Sequence, residues 1–213
     1  DRWLVTQKIS LRRLKNVLTP AAECARTKSS QRKTENQTVN IFYLDRNPKI
    51  AAQMHCDKHV VKMVLEYAQI LSTAHRVIDG DEVADREGLY KIAHKNHPST
   101  AWARAGRGNY NWLSDLWGYL GNEYTHRYGK VHKAATKEWL FYAPEHIPYK
   151  RFMAIHTPPP QCMPDEYKCN PNSASIDDTV SAYRAYYRGD KAYFAKWTNR
   201  SEPAWFDMYG EVA

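Results

Sequence analysis

Apolar residues recur at helical spacing in several stretches of the chain, and those stretches are separated by runs where the pattern disappears. The clearest one follows Asn47-Pro48, a capping side chain placed before the residue best suited to the first helical position. Val60, Val61, Val64, Ala68 and Leu71 then return every three or four residues, which is the spacing of one helix face. This predicts a helix over 47–78, with room for a break near 55–57 and a stop at Asp79-Gly80. A second helix is expected over 87–94, stopped by Asn96-His97-Pro98. A third is expected over 109–128, with Leu113, Leu116, Trp117, Leu120 and Tyr124 as its ridge and Gly129 placed to cap its end. Helices over 176–187 and 191–197 follow, the latter with Asp190 as N-cap. The apolar run 39–44 suits a buried strand or an extended lead-in segment.

The interruptions are as informative as the pattern. Residues 143–172 hold seven of the eleven prolines and read as a long irregular loop, the kind that is usually functional or mobile. At the other end, 3–18 has the length of a short helix stopped by Thr19-Pro20, and 21–38 is rich in Ser, Thr, Gln, Lys and Asn, the composition of a disordered linker. The expected architecture is mostly α: a single compact helical domain over 39–213, with a long irregular Pro-rich loop, behind an N-terminal extension over 1–38. The chain opens on Asp, and Val39 is expected to be the natural start, a GTG codon read as Met, with 1–38 as upstream sequence.

Composition narrows the class. A chain of 213 residues suits one domain. It can bury roughly 70% of the surface its unfolded form exposes. No apolar run approaches the ~20 residues that span a membrane, and no apolar stretch near the start resembles a signal peptide. Four cysteines (Cys24, Cys56, Cys162 and Cys169) stand at irregular spacing, which favours free thiols in a reducing, cytoplasmic compartment over a disulfide framework. The net charge is +8, but nine Lys/Arg against three acids put +6 of it in 1–38 and leave +2 in the rest. The hint of an anionic partner is therefore weaker for the domain than for the whole chain.

His55, His59, Lys62 and Glu66 stand at i, i+4, i+7 and i+11, which places them on one stripe of a continuous helix. Such a stripe is either a solvated face or a centre for acid–base work, since it supplies imidazole and carboxylic acid together. Two His four residues apart also fit a shared Zn²⁺, but the intervening Glu and an obvious third ligand are missing, so no metal and no other cofactor is implied. Arg104, Arg107, Arg127, Lys130 and Lys133 alternate with Tyr110, Trp112 and Tyr128, a mixture that fits nucleic acid. Trp197, Trp205, Phe206 and Tyr209 either dock the C-terminus on the core or form a wall for a base.

Taken in order, these residues resemble a known family. Asp57-Lys58-His59-Val60-Val61, with Glu66 seven residues after the His, is similar to the opening helix of the pyrimidine-dimer DNA glycosylases of the phage endonuclease V type. Pro203, Trp205, Phe206, Tyr209 and Gly210 are similar to that family's C-terminus, and His97 and Arg127-Tyr128-Gly129-Lys130 to its middle. The likeness runs collinearly over 39–213, although no single motif is specific. Leu65 and Gln69 stand where the family has arginines, so contacts to DNA must differ. The resemblance implies a glycosylase with abasic-site lyase activity on double-stranded DNA, acting as a monomer inside a cell, which would be an infected host if the gene is a phage's. An N-terminal α-amine would attack the sugar C1′ and pass through a Schiff base. It implies Glu66 as the acid, His59 as a positioning group, and as nucleophile either Asn40, in a chain that begins there, or Lys62. DNA contacts are implied for His55, His97, Arg104, Arg107, Arg127, Lys130, Trp205 and Tyr209. Two rival readings stay open, a non-catalytic nucleic-acid-binding protein and a metal-dependent hydrolase built on His55, His59 and Glu66.

Overall fold

The Asn47 side chain accepts from the backbone N–H of Lys49 (2.9 Å) and of Ile50 (3.4 Å), and Pro48 begins the helix α1 (Pro48–Met54). In this computed structural model, which describes residues 39–149 and 156–207, the expected break follows directly. His55 and Cys56 are extended, and α2 (Asp57–Ile78) starts afresh, its first N–H donating to the Lys196 carbonyl (2.8 Å). After Gly80 comes a short α3 (Asp81–Arg86), then an irregular stretch, then α4 (Pro98–Arg104) and α5 (Arg107–Tyr128). Gly129 closes α5 in the left-handed conformation (φ 65°), as its position predicted. The helix α6 (Ile176–Tyr186) begins at Ser175, whose hydroxyl accepts from the Asp178 N–H. The readings made for 1–38, Tyr209 and Gly210 lie outside the described residues.

The centre of the molecule is the run 39–44. Ile41, Tyr43 and Leu44 have no exposed surface. The run is extended, but no strand exists among the described residues, so side chains satisfy its backbone: the Phe42 N–H donates to the Tyr67 hydroxyl (3.1 Å). Tyr67 comes from α2. From α5, Trp112 packs its ring on Tyr43 at 4.4 Å. From α6, the Tyr183 hydroxyl lies 3.1 Å from Asn40 Oδ1 and 2.8 Å from the Pro160 carbonyl oxygen. Both α1 and α2 pack on α5, and α4 closes against α2 and α5. Every helix thus turns an apolar face to one core threaded by six residues.

Three expectations change. No helix forms over 87–94. The buried Arg76 guanidinium instead draws that stretch out, donating to the carbonyls of Leu89 (2.9 Å) and Tyr90 (2.6 Å) while pairing with Asp81 and Asp85 across α3. Asn96-His97-Pro98 starts a helix rather than stopping one, since His97 is the N-cap of α4. Nor does a capped helix begin after Asp190. The chain passes from α6 into a π turn, Tyr187–Lys191, and a 3₁₀ turn, Ala192–Phe194. Tyr167 packs against this turn. Its hydroxyl donates to Asp190 (2.8 Å), and its ring lies so close to Gly189 that a Cβ there would clash.

Among the described residues no helix is long and apolar enough to cross a membrane. Cys56, Cys162 and Cys169 are free thiols.

Candidate functional site

The stripe of His55, His59, Lys62 and Glu66 divides in two. His55 is fully buried, with Nδ1 2.7 Å from the Ala51 carbonyl oxygen and Nε2 3.0 Å from the Tyr67 hydroxyl. A carbonyl only accepts, so Nδ1 carries the proton and Nε2 accepts from Tyr67. Burial pushes the His55 pKa down to about 4, which keeps the ring neutral. His59 is also buried, its Nδ1 2.5 Å from the Tyr187 hydroxyl and its ring stacked on Phe42 at 4.1 Å. Burial again holds it well below the ordinary histidine value. Both rings are therefore parts of the core, and the metal-hydrolase arrangement of His55, His59 and Glu66 is not assembled. No group of three or more His, Cys, Asp or Glu among the described residues is placed to hold a metal.

One turn further on the stripe leaves the interior. Lys62 and Glu66 form an ion pair at 3.0 Å, with side chains 54% and 21% exposed. They line a small cleft of about 40 Å³ together with Val39, Gln69, Ile70, Ala93, His94 and Thr100. That is room for a water or the edge of a sugar, and too little for a nucleobase. Three segments build it. On α2, Lys62, Glu66, Gln69 and Ile70 follow helical spacing. The stretch drawn out by Arg76 supplies Ala93 and His94, fixed where the Ala93 N–H donates to the Thr73 hydroxyl (3.0 Å). His94 itself takes a positive φ of 49°, an uncommon conformation for a residue with a Cβ. From α4, Ser99 donates its hydroxyl to the Val39 carbonyl (3.4 Å), bringing the neighbouring Thr100 into the wall.

Asn40 is one residue from the cleft, but its side chain turns into the core and accepts from Tyr183. Val39, the residue before it, lines the cleft beside Lys62 and Glu66.

Most residues expected to touch DNA lie elsewhere. Arg127 is a correction, with a side chain that has no exposed surface. It donates to Glu123 (2.8 Å), Asp57 (2.9 Å) and the Gln53 carbonyl (3.0 Å), which leaves no donor turned outward for a phosphate. His55 is a second, for the reasons given above. Trp205 is a third. It is 7% exposed, sits against Tyr187 and Arg184, and donates its indole N–H to Met54 Sδ (3.2 Å). With Trp197, which donates to the Met54 carbonyl (3.0 Å), it docks the C-terminal segment on the end of α1. The half-buried His97 accepts from the Ser99 N–H through Nδ1 (3.2 Å). Arg104 and Arg107 are half-buried, Lys130 is exposed, and Tyr209 lies outside the described residues.

The Pro-rich loop walls a wider groove of about 490 Å³, bounded by His156, Pro158, Pro160, Pro171 and Ile176. Its lining residues include no carboxylate and no amine, and the His156 Nε2 is engaged by the Tyr43 hydroxyl at 2.6 Å. The small cleft is therefore the place where an acid and an amine meet. Sequence reasoning named Lys62 and Glu66 but missed His94 and Thr100. Neither shares a periodicity with α2; the one visible signal was a polar turn with two histidines between Ala93 and Pro98. No protein-family model, no curated protein and no solved structure matches this chain.

Proposed function

We propose that the chain is a DNA glycosylase with abasic-site lyase activity, excising a damaged or modified pyrimidine from double-stranded DNA through a Schiff-base intermediate. One observation supports this above the others: Val39 lines the same cleft as the Lys62–Glu66 ion pair, so the residue before Asn40, an amine and an acid border one space that admits the edge of a sugar. An uncharged amine nitrogen attacks C1′ as the bond from C1′ to the base breaks, and the base leaves with that electron pair. The new C–N bond becomes an iminium when the sugar ring opens, the ring oxygen taking a proton. Loss of a proton from C2′ then expels the 3′ phosphate. Glu66 takes the proton released by the attacking amine and faces the cationic sugar. The base leaves from outside the cleft, which is too small to admit it.

The amine depends on where the chain begins. In a chain starting at Asn40 it is the α-amine, whose ordinary pKa of roughly 7.7–8.0 leaves much of it neutral. In the chain of 213 residues it is Lys62, whose ammonium is paired with Glu66 at 3.0 Å and has to lose its proton before it attacks.

Borohydride trapping on a duplex with an abasic site tests the reading in both chains. A covalent adduct is expected, mapping to residue 40 in the shorter chain and to Lys62 in the longer. Glu66→Gln is expected to slow adduct formation by roughly 100-fold or more, the usual scale for an acid–base group. Absence of adduct from both chains overturns the proposal and leaves a non-catalytic binding role.

A further inference from the structure

The reaction proposed above removes two protons from the reacting atoms, one from the attacking amine and one from C2′, and Glu66 receives the first. The second needs a base on the same space. Besides Lys62 and Glu66, His94 is the only lining residue of the small cleft, among the described residues, with a titratable side chain. It is exposed, so its ring is open to a bound molecule, and no hydrogen-bond partner holds that ring among the described residues. This sets it apart from His55, His59 and His75, which are buried and bonded through their ring nitrogens. The backbone of His94 is held on both sides. The Ala93 N–H donates to the Thr73 hydroxyl (3.0 Å), and the His94 carbonyl accepts from the N–H of His97 (2.9 Å), the residue that caps α4. Between those anchors His94 keeps a φ of 49°, where glycine or asparagine sits more easily. A side chain kept at such a position by fixed neighbours points to a use for the side chain itself.

We propose that His94 is a catalytic residue whose imidazole removes the C2′ proton in the strand-cleaving step. This rests on the glycosylase reading above and assigns the base which that reading leaves open. C1′ and C2′ are neighbours on one edge of the sugar, and the cleft admits that edge. Lys62 and Glu66 border it from α2, and His94 borders it from the stretch between α3 and α4. Once the iminium has formed, the attacking nitrogen is bonded to C1′, and Glu66 is engaged by the proton and the positive charge at that nitrogen. The base that remains is His94, and imidazole is the side chain suited to taking a proton near neutral pH. Its lone pair takes the C2′ proton, the C2′–H electron pair becomes the C2′=C3′ double bond, and the C3′–O bond breaks with its electrons going to the 3′ phosphate. The protonated ring then returns its proton to water, which reaches it because the residue is exposed.

The test uses the full chain and a duplex with one natural abasic site, and follows borohydride-trapped adduct and cleaved strand on one gel. Glycine suits the backbone at this position, so His94→Gly is expected to melt close to wild type. It is expected to form adduct at a similar rate and to cleave the strand roughly 100-fold more slowly, the usual scale for an acid–base group. The trapped adduct should then carry the uncleaved strand. Added imidazole should restore cleavage by filling the space the ring leaves. His94→Asn, which also accepts a positive φ, should show the same loss without rescue, and it carries the test if the glycine variant does not fold. Cleavage at the wild-type rate in both variants overturns the His94 assignment and leaves the glycosylase reading standing, as does slow cleavage in His94→Gly that imidazole leaves unchanged. A loss of adduct that matches the loss of cleavage overturns it too, because His94 then acts before the elimination. No adduct from wild type overturns both.

Discussion

His55 and His59 hold their protons less tightly than free histidine because both rings are buried and bonded to neutral partners. The unfolded chain takes up a proton near pH 6.5, whereas folded His55 does so only near 4. Stability from His55 is therefore complete above about 6.5 and is lost as the pH falls toward 4, by about 3 kcal/mol in all, with His59 adding a loss of the same sign. Urea unfolding across that window should show the midpoint falling with acid, and a flat midpoint refutes the neutral-core assignment. Arg127 offers a second residue-scale prediction. Arg127→Met leaves Glu123 with Arg200 and Asp57 with Thr198, and should cost about 1–3 kcal/mol in urea unfolding. Lys130→Ala, three residues on and exposed, should cost nothing measurable. An Arg127→Met protein as stable as wild type would return that side chain to the list of DNA contacts.

At the scale of elements, α5 was readable because its ridge and its cap agree: Leu113, Leu116, Trp117 and Leu120 are all fully buried, and Gly129 takes the αL cap. The stripe on α2 was only half readable. Helical spacing aligns His55 with Glu66 only if the helix is continuous, and the extended residues His55 and Cys56 rotate the first histidine off the register. His59 keeps the register but lies beneath the C-terminal segment, with the Phe194 ring 5.6 Å away, while Glu66 lies past the edge of that cover. Periodicity gives the direction of a side chain and says nothing about what a segment 130 residues later lays over it. The stretch pinned by Arg76 failed for the same reason, since one guanidinium on α2 overrides the local preference of 87–94. Arg76→Met should destabilise the protein by about 2–3 kcal/mol, because a buried carbonyl, a half-buried one and two exposed carboxylates lose a charged donor. Through Ala93 and His94 it should also weaken binding to an abasic duplex at a temperature where the variant is still folded. Unchanged affinity there would separate the Arg76 anchor from the cleft.

For the molecule as a whole, charge and chemistry occupy different parts of the chain. Residues 1–38 carry +6 and the remainder +2, yet the cleft belongs to the remainder. Removing 1–38 should lower affinity for undamaged DNA and flatten its dependence on salt, because fewer counterions are released. The ratio of affinities for abasic and undamaged duplex should rise. A binding titration at several salt concentrations checks both, and a salt slope that survives the truncation would place the phosphate contacts on the helical domain.

The six-residue thread at the centre also imposes an order of events during synthesis. Asn40 meets Tyr183, and Met54 meets Trp197 and Trp205, so these early residues wait for partners made 143 to 151 residues later. Such distant closures are slow. Until the stretch 183–187 emerges, the Phe42 ring lacks the three tyrosine rings that surround it, Tyr183, Tyr186 and Tyr187. A chain cut short before Ile176 would yield a sticky fragment with no native resting place, and chaperone demand should peak at that length.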